Sequence, residues 1–325
     1  MAGEKPDVLL VGAMKPVMMK GFEGKVNLHH WLDAKDKDVY AREIGSKVKA
    51  IAIAHHTKVD DDFLKQFPNV QQVSSFGVGY DHIDAKWAGE HGIIVTNTPD
   101  VLNEEVADTT IGLLLCTLRE FPQAERYVRA GKWTGGQYPL TKATLQGRTV
   151  GMVGMGRIGR AIARRLEAFG VPVVYHSRNP QAGVTYKHYP KLLDMARDVD
   201  TLIVIVPGGA ATANMINADV LKALGPNGVL INMARGSVVD EPALIEALKN
   251  KTIYSAGLDV FAKEPNVPKE LMDMDHVVLF PHLGSASVAT REAMDRLVVD
   301  NILAWAAGKP PLTPVSETPY SPKRA

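Results

Sequence analysis

One cysteine, Cys116, is all that this chain of 325 residues contains. A lone thiol excludes an intrachain disulfide. Its setting in Ile111-Gly112-Leu113-Leu114-Leu115-Cys116 reads as a buried helix, where it packs and has no histidine nearby in sequence to make it a nucleophile. Net charge is nearly absent as well, at +1 from 37 basic and 36 acidic residues, so nothing points to nucleic acid or an anionic membrane surface. No apolar run approaches the roughly 20 residues that cross a bilayer. The first residues, Glu4, Lys5, Pro6 and Asp7 among them, precede a short apolar run that breaks at Gly12, unlike a secretory leader. A cytoplasmic protein with no nucleic-acid or membrane partner is expected. Solenoid repeats and low-complexity segments are also missing, apart from a proline-containing tail, Pro310 to Ala325, expected on the surface. The histidine pairs His29-His30 and His55-His56 have no cysteine or spaced acids beside them, so they read as surface or loop residues and no metal site is expected.

A chain this long suits two domains rather than one core. Strand-like runs at Val8 to Val11, Ala50 to Ala54, Val70 to Ser74 and Ile93 to Thr96 alternate with helix-like stretches, which predicts a small parallel α/β unit. A long helix is expected over Glu104 to Arg119, with Asn103 as its N-cap. A second strand series then begins at Thr149 to Val153 and continues through Val171 to His176, Thr201 to Val206, Val229 to Met233, Tyr254 to Val260 and His276 to Phe280. The last helix, Val288 to Ala306, must return to the first unit if the tail is to close it. The expected fold class is α/β with two doubly wound parallel sheets: a flavodoxin-like substrate domain from 1–101 and 298–325, and a Rossmann nucleotide domain, 102–297, inserted in it.

The strand from Thr149 runs straight into Gly154-Met155-Gly156-Arg157-Ile158-Gly159, the spacing G-x-G-x-x-G in a strand–turn–helix setting. The first glycine permits the tight turn, the second lets the backbone approach a pyrophosphate, and the third lets helix and strand pack closely. The free N–H groups of the helix start, with Met155, Arg157 and Ile158, are expected around the phosphates. A further absence then decides the nucleotide. Where an NAD-specific site carries Asp or Glu for the ribose 2′-hydroxyl, this chain has Ser177-Arg178-Asn179. A carboxylate there would repel a 2′-phosphate, whereas Ser177 can donate to it and Arg178 can pair with it. NADPH is the expected cofactor, with NADH the weaker alternative.

Ligands of open parallel sheets bind beyond the carboxyl ends of the strands. Arg235, Glu264 and His282 follow the last three predicted strands in turn, which should bring them to one edge. Reduction of a ketone by hydride requires a proton for the oxygen, a cation on the substrate, and a group that orients and charges the acid. Imidazole, guanidinium and carboxylate answer these demands, as His282, Arg235 and Glu264.

Five segments carry a resemblance: Gly77-Val78-Gly79-Tyr80-Asp81-His82-Ile83-Asp84, Asn97-Thr98-Pro99-Asp100, Met233 to Asp240, Gly257 to Pro265, and Pro281-His282-Leu283-Gly284-Ser285. In order and content they resemble the D-isomer-specific 2-hydroxyacid dehydrogenases. Within that family the chain is similar to NADPH-preferring glyoxylate/hydroxypyruvate reductases. The resemblance implies that His282 is the acid/base, Glu264 its partner and Arg235 the substrate cation. It further implies that backbone N–H groups at Val78 and Gly79 hold the substrate carboxylate, with Ser285 beside the acid. Val206, Pro207, Thr212, Met233, Ala234, Asp259 and Gly284 would line the cofactor, and a homodimer would form around Glu104 to Tyr138. Trp133 and Tyr138 in the connecting loop could then shape substrate choice. An aryl 2-oxo acid remains open as substrate, and so does a dinucleotide-sensing, corepressor-like binding protein as a reading of another class.

Overall fold

The computed structural model describes residues 4–54 and 57–320. By internal contacts the chain divides into Met1–Leu102 with Val288–Ala325, and Asn103–Ser287. The first unit opens with β1 (Asp7–Val11), α1 (Pro16–Phe22), β2 (Asn27–His30), α2 (Lys37–Ile44), β3 (Val48–Ile53), α3 (Asp61–Leu64), β4 (Gln72–Ser75), α4 (Ala85–Glu90) and β5 (Ile94–Thr96). Its five strands pair in parallel in the order β2-β1-β3-β4-β5. A parallel sheet is covered on both faces, which is why Val8 to Val11 and Ala50 to Ile53 are fully buried without polar alternation. Asp36, Asp60 and Asp84 start α2, α3 and α4, each accepting a hydrogen bond from a first-turn N–H.

The second unit comprises α5 (Asn103–Arg119), α6 (Phe121–Arg129), β6 (Val150–Val153), α7 (Arg157–Ala168), β7 (Val173–His176), β8 (Lys187–Tyr189), α8 (Leu192–Asp198), β9 (Thr201–Val204), α9 (Ala218–Leu224), β10 (Val229–Asn232), α10 (Glu241–Lys249), β11 (Ser255–Leu258), α11 (Lys269–Met272) and β12 (Val278–Leu279). Seven parallel strands run β12-β11-β10-β9-β6-β7-β8, so the winding reverses between β6 and β9. Asn103 is not a cap as expected but the first residue of α5. That helix lies directly on β11: a Cβ on Gly257 would stand 2.4 Å from Thr117 Oγ1. The Thr110 and Thr117 hydroxyls donate to the carbonyls of Val106 and Leu113 one turn back, which lets both be buried.

The chain returns to the first unit with α12 (Val288–Ala306). Ser74 Oγ of β4 donates to Val298 O at 3.2 Å, and Gly21 of α1 gives Val299 room to pack. The division therefore falls at 287/288, before the helix, where the sequence pattern suggested 297/298. The tail is not the surface strap expected of it. Val315 N donates to Val95 O, Thr318 Oγ1 accepts from Val95 N, and Val315 and Thr318 are buried. Asn301 of α12 is fully buried and clamps this segment, donating to Thr313 Oγ1 at 2.9 Å and accepting from Thr313 N at 3.0 Å. His29 and His30 lie on an edge strand rather than a loop, with His29 Nε2 2.6 Å from Asp7 Oδ1. His55 and His56 fall outside the described residues. Among those described, no helix is long and apolar enough to cross a membrane, and no group of three or more His, Cys, Asp or Glu is placed to hold a metal ion.

Asn301→Ala leaves the half-buried Thr313 N–H without its acceptor. A loss of roughly 2–3 kcal/mol of stability is expected, read as a lower urea midpoint. An unchanged midpoint would show that the clamp contributes nothing.

Candidate active site

β6 ends at Gly154, whose φ of 105° belongs to the region that glycine adopts freely. A Cβ there would meet Ile205 O at 2.6 Å, and one on Gly159 would meet Gly154 O at 2.6 Å, so both glycines answer to close packing between turn, helix and sheet. Gly156, which caps α7, differs: nothing lies within 4 Å of where its Cβ would stand. The first turn of α7 carries no acidic residue, and no side chain caps its N–H groups. An open cradle of N–H donors at a helix start fits a dinucleotide's phosphates.

At the end of β7 the chain turns through Ser177-Arg178-Asn179. Ser177 Oγ donates to Asn179 O at 2.7 Å, and His188 Nε2 lies 3.0 Å from Ser177 O, which fixes the turn beside β8. Arg178 is exposed and makes no hydrogen bond or ion pair among the described residues. After β9, Val206 is half-buried and Pro207 exposed, and Thr212 Oγ1 returns to Pro207 O at 2.7 Å to close that loop.

Arg235, Glu264 and His282 follow β10, β11 and β12, three neighbouring strands at one edge of the sheet. Asn232, buried at the end of β10, shapes the Arg235 turn: its Oδ1 accepts from Ala234 N and its Nδ2 donates to Arg235 O, both at 3.1 Å. The next residue brings two loops into backbone contact, since a Cβ on Gly236 would stand 1.9 Å from the Phe261 carbonyl carbon. Glu264 Oε1 accepts from Phe261 N at 3.1 Å, and its Oε2 lies 2.7 Å from His282 Nδ1. Both side chains are about one third exposed, at 33 % and 30 %. His282 has a φ of 52°, a strained backbone for a residue with a Cβ, and strain of this kind collects at functional sites.

Asp259 holds that histidine's loop in place. Its backbone carbonyl accepts from His282 N at 2.8 Å, and its carboxylate accepts from Leu283 N at 2.7 Å and Gly284 N at 3.0 Å. Burial pushes the Asp259 carboxyl above the usual carboxylate range, against the pull of those two N–H groups and of His282. Met233 and Ala234 are buried beside the Arg235 turn, and Ser285 is half-buried beyond Gly284. Sequence reasoning missed Asn232 and also Glu241, whose Oε2 accepts from Ala262 N at 3.1 Å. A polar residue closing an apolar strand was the only signal for the first.

The first unit carries a separate feature in the loop after β4. Gly77 N donates to Thr98 Oγ1 at 2.9 Å, and Asn97 Nδ2 donates to Val78 O at 2.8 Å. The N–H groups of Val78 and Gly79 donate to no atom among the described residues.

A family model described as D-isomer specific 2-hydroxyacid dehydrogenase, NAD binding domain, matches residues 111–284. The chain belongs to the D-isomer specific 2-hydroxyacid dehydrogenase family. It is 44 % identical to glyoxylate/hydroxypyruvate reductase A from Arabidopsis thaliana, over 96 % of this chain and 99 % of that one. It is 41 % identical to hydroxyphenylpyruvate reductase from Plectranthus scutellarioides, over 95 % and 98 %. Among solved structures, an NADPH-dependent glyoxylate/hydroxypyruvate reductase from Sinorhizobium meliloti, in complex with NADP and malonate, superposes with a TM-score of 0.94. Its identity to this chain is 51 %, and 99 % of this chain and 100 % of that one are covered. As a D-isomer specific 2-hydroxyacid dehydrogenase the chain has two parallel α/β sheets of five and seven strands, and the matched span holds both the glycine turn and the Arg–Glu–His edge.

Proposed function

We propose that this dehydrogenase reduces small 2-oxo acids, glyoxylate and hydroxypyruvate first among them, to D-2-hydroxy acids with NADPH. The observation that carries the reading is the Glu264–His282 contact on the edge strands next to Arg235. NADPH would be held by the 154–159 turn, by Ser177, Arg178 and Asn179, by Val206, Pro207 and Thr212, and by Met233, Ala234, Asp259 and Gly284. When bound, it supplies the hydride that reaches the carbonyl carbon.

The chain's own groups do the rest. Glu264 Oε2 occupies the Nδ1 side of His282, so Nε2 is the nitrogen assigned to give its proton to the carbonyl oxygen. The Glu264 carboxylate also stabilises the charged imidazolium before that transfer. Arg235 binds the 2-oxo carboxylate through its planar fork and offsets charge developing on the oxygen. The N–H groups of Val78 and Gly79, which donate to no atom among the described residues, are assigned to a substrate carboxylate, and Ser285 to the surroundings of the acid. NADPH over NADH is supported by the free guanidinium of Arg178 at a turn without a carboxylate, and by the NADP bound in the similar Sinorhizobium meliloti enzyme.

The protein is further proposed to be cytoplasmic and homodimeric. Support for a dimer comes from α6, none of whose residues is buried, with Phe121 48 %, Val128 55 % and, in the following loop, Trp133 65 % exposed. An aryl 2-oxo acid is a second reading, favoured by the likeness to the hydroxyphenylpyruvate reductase. Rates with glyoxylate, hydroxypyruvate, pyruvate and phenylpyruvate decide between the two. High turnover on any of them dismisses a purely dinucleotide-sensing role.

His282→Ala is expected to lower kcat by about 10²-fold or more while NADPH still binds, as followed by nucleotide fluorescence. Unchanged turnover would remove His282 from the mechanism. Arg178→Ala is expected to cut kcat/KM for NADPH by roughly tenfold or more and to leave that for NADH little changed. Equal loss with both nucleotides would contradict the assigned contact.

A further inference from the structure

Phe76 stands between β4 and the loop of Gly77, Val78 and Gly79, and only 2 % of it is exposed. Its ring is faced by cations. Lys15 Nζ, from the turn that leads into α1, lies 3.0 Å from the ring centroid, and the Arg291 guanidinium carbon of α12 lies 5.2 Å from it. The same Lys15 Nζ is 3.0 Å from Asp295 Oδ1, one turn along α12 from Arg291. Side-chain exposures of 23 % for Lys15 and 7 % for Asp295 make this a largely desolvated pair. Burial is the main cause that lowers the Lys15 ammonium below the usual lysine value and raises the Asp295 carboxyl. An apolar contact would avoid that desolvation, and replacing a buried pair by apolar residues is often neutral or stabilising.

We propose that Lys15, held by Asp295 and seated on Phe76, is a positioning and affinity-determining residue for the substrate carboxylate. It fixes the ring that anchors the Gly77–Gly79 loop on one side, while Thr98 and Asn97 fix the loop on the other. Its charge also adds to the field felt by a bound anion. The inference rests on the proposed reading of that loop as the carboxylate site. It extends the reading to three side chains, Lys15, Phe76 and Asp295, that touch no reacting atom.

The test is steady-state kinetics with NADPH and glyoxylate on Lys15→Met, Lys15→Arg, Phe76→Leu and the double variant Lys15→Met/Asp295→Asn. The double variant leaves no lone buried carboxylate and so guards against a folding defect. In Lys15→Met, Phe76→Leu and the double variant, KM for glyoxylate is expected to rise roughly five- to twentyfold. kcat and KM for NADPH should stay within about twofold. Lys15→Arg should recover most of the loss, and Lys15→Met combined with Phe76→Leu should raise KM no further than either alone, since both break one contact. A pair that merely ties α1 to α12 would lower the melting temperature and leave KM untouched, which overturns the inference. Wild-type protein without 2-oxo acid turnover would overturn the reading of the site and this inference with it, whereas active variants of unchanged KM overturn this inference alone.

Discussion

A carboxylate 2.7 Å from an imidazole nitrogen is the contact on which the proposed chemistry depends. It exists because β11 and β12 pair in parallel, so that the loops leaving them emerge on the same side and Glu264 meets His282 across 18 positions of sequence. The surrounding bonds hold that contact in place. Phe261 N fixes one oxygen of Glu264, Asp259 receives three N–H groups of the histidine's loop, and Glu241 secures the backbone of Ala262. His282 stays in its strained backbone conformation only because these partners over-determine it. The edge of a sheet is well suited to the task, because adjacent strands deliver side chains from distant sequence into register without long loops.

Charge is distributed with equal economy. The nucleotide end has the N–H donors of a helix start, no acid in the first turn of α7 and an exposed arginine after β7, which together suit a doubly phosphorylated ribose. In the first unit the Lys15 ammonium and the Arg291 guanidinium face the Phe76 ring, next to the loop of Val78 and Gly79, and Asp295 holds Lys15. A chain of net charge +1 thus sets cationic side chains near the places where anions are proposed to bind.

Much of this was legible because it is local. The turn at Gly154 to Gly159 announces itself through spacing, and α12 occupies Val288–Ala306, where the last helix was expected. Arg235, Glu264 and His282 could be ordered along an edge because each follows an apolar run that ends abruptly. What was not legible is held by distant partners. β8 has only three residues, Lys-His-Tyr, and β2 ends in two histidines, so neither shows an apolar run. The tail reads as a proline-containing strap until Asn301 is seen to clamp Thr313 and Val95 to pair with Val315. Lys15 and Asp295 are 280 positions apart, and no spacing rule joins them. Asn103 looked like a cap because caps and first-turn residues share the same composition.

The central claim is that the Glu264 carboxylate, through its charge and not merely its shape, readies His282 to give a proton. Single-turnover stopped-flow of NADPH oxidation on mixing with glyoxylate tests it in Glu264→Gln, where a hydrogen-bonding group of the same size remains but the charge is gone. The hydride step is expected to slow by about 10²-fold, with NADPH affinity retained. A wild-type rate in Glu264→Gln would contradict the electrostatic role assigned to this pair.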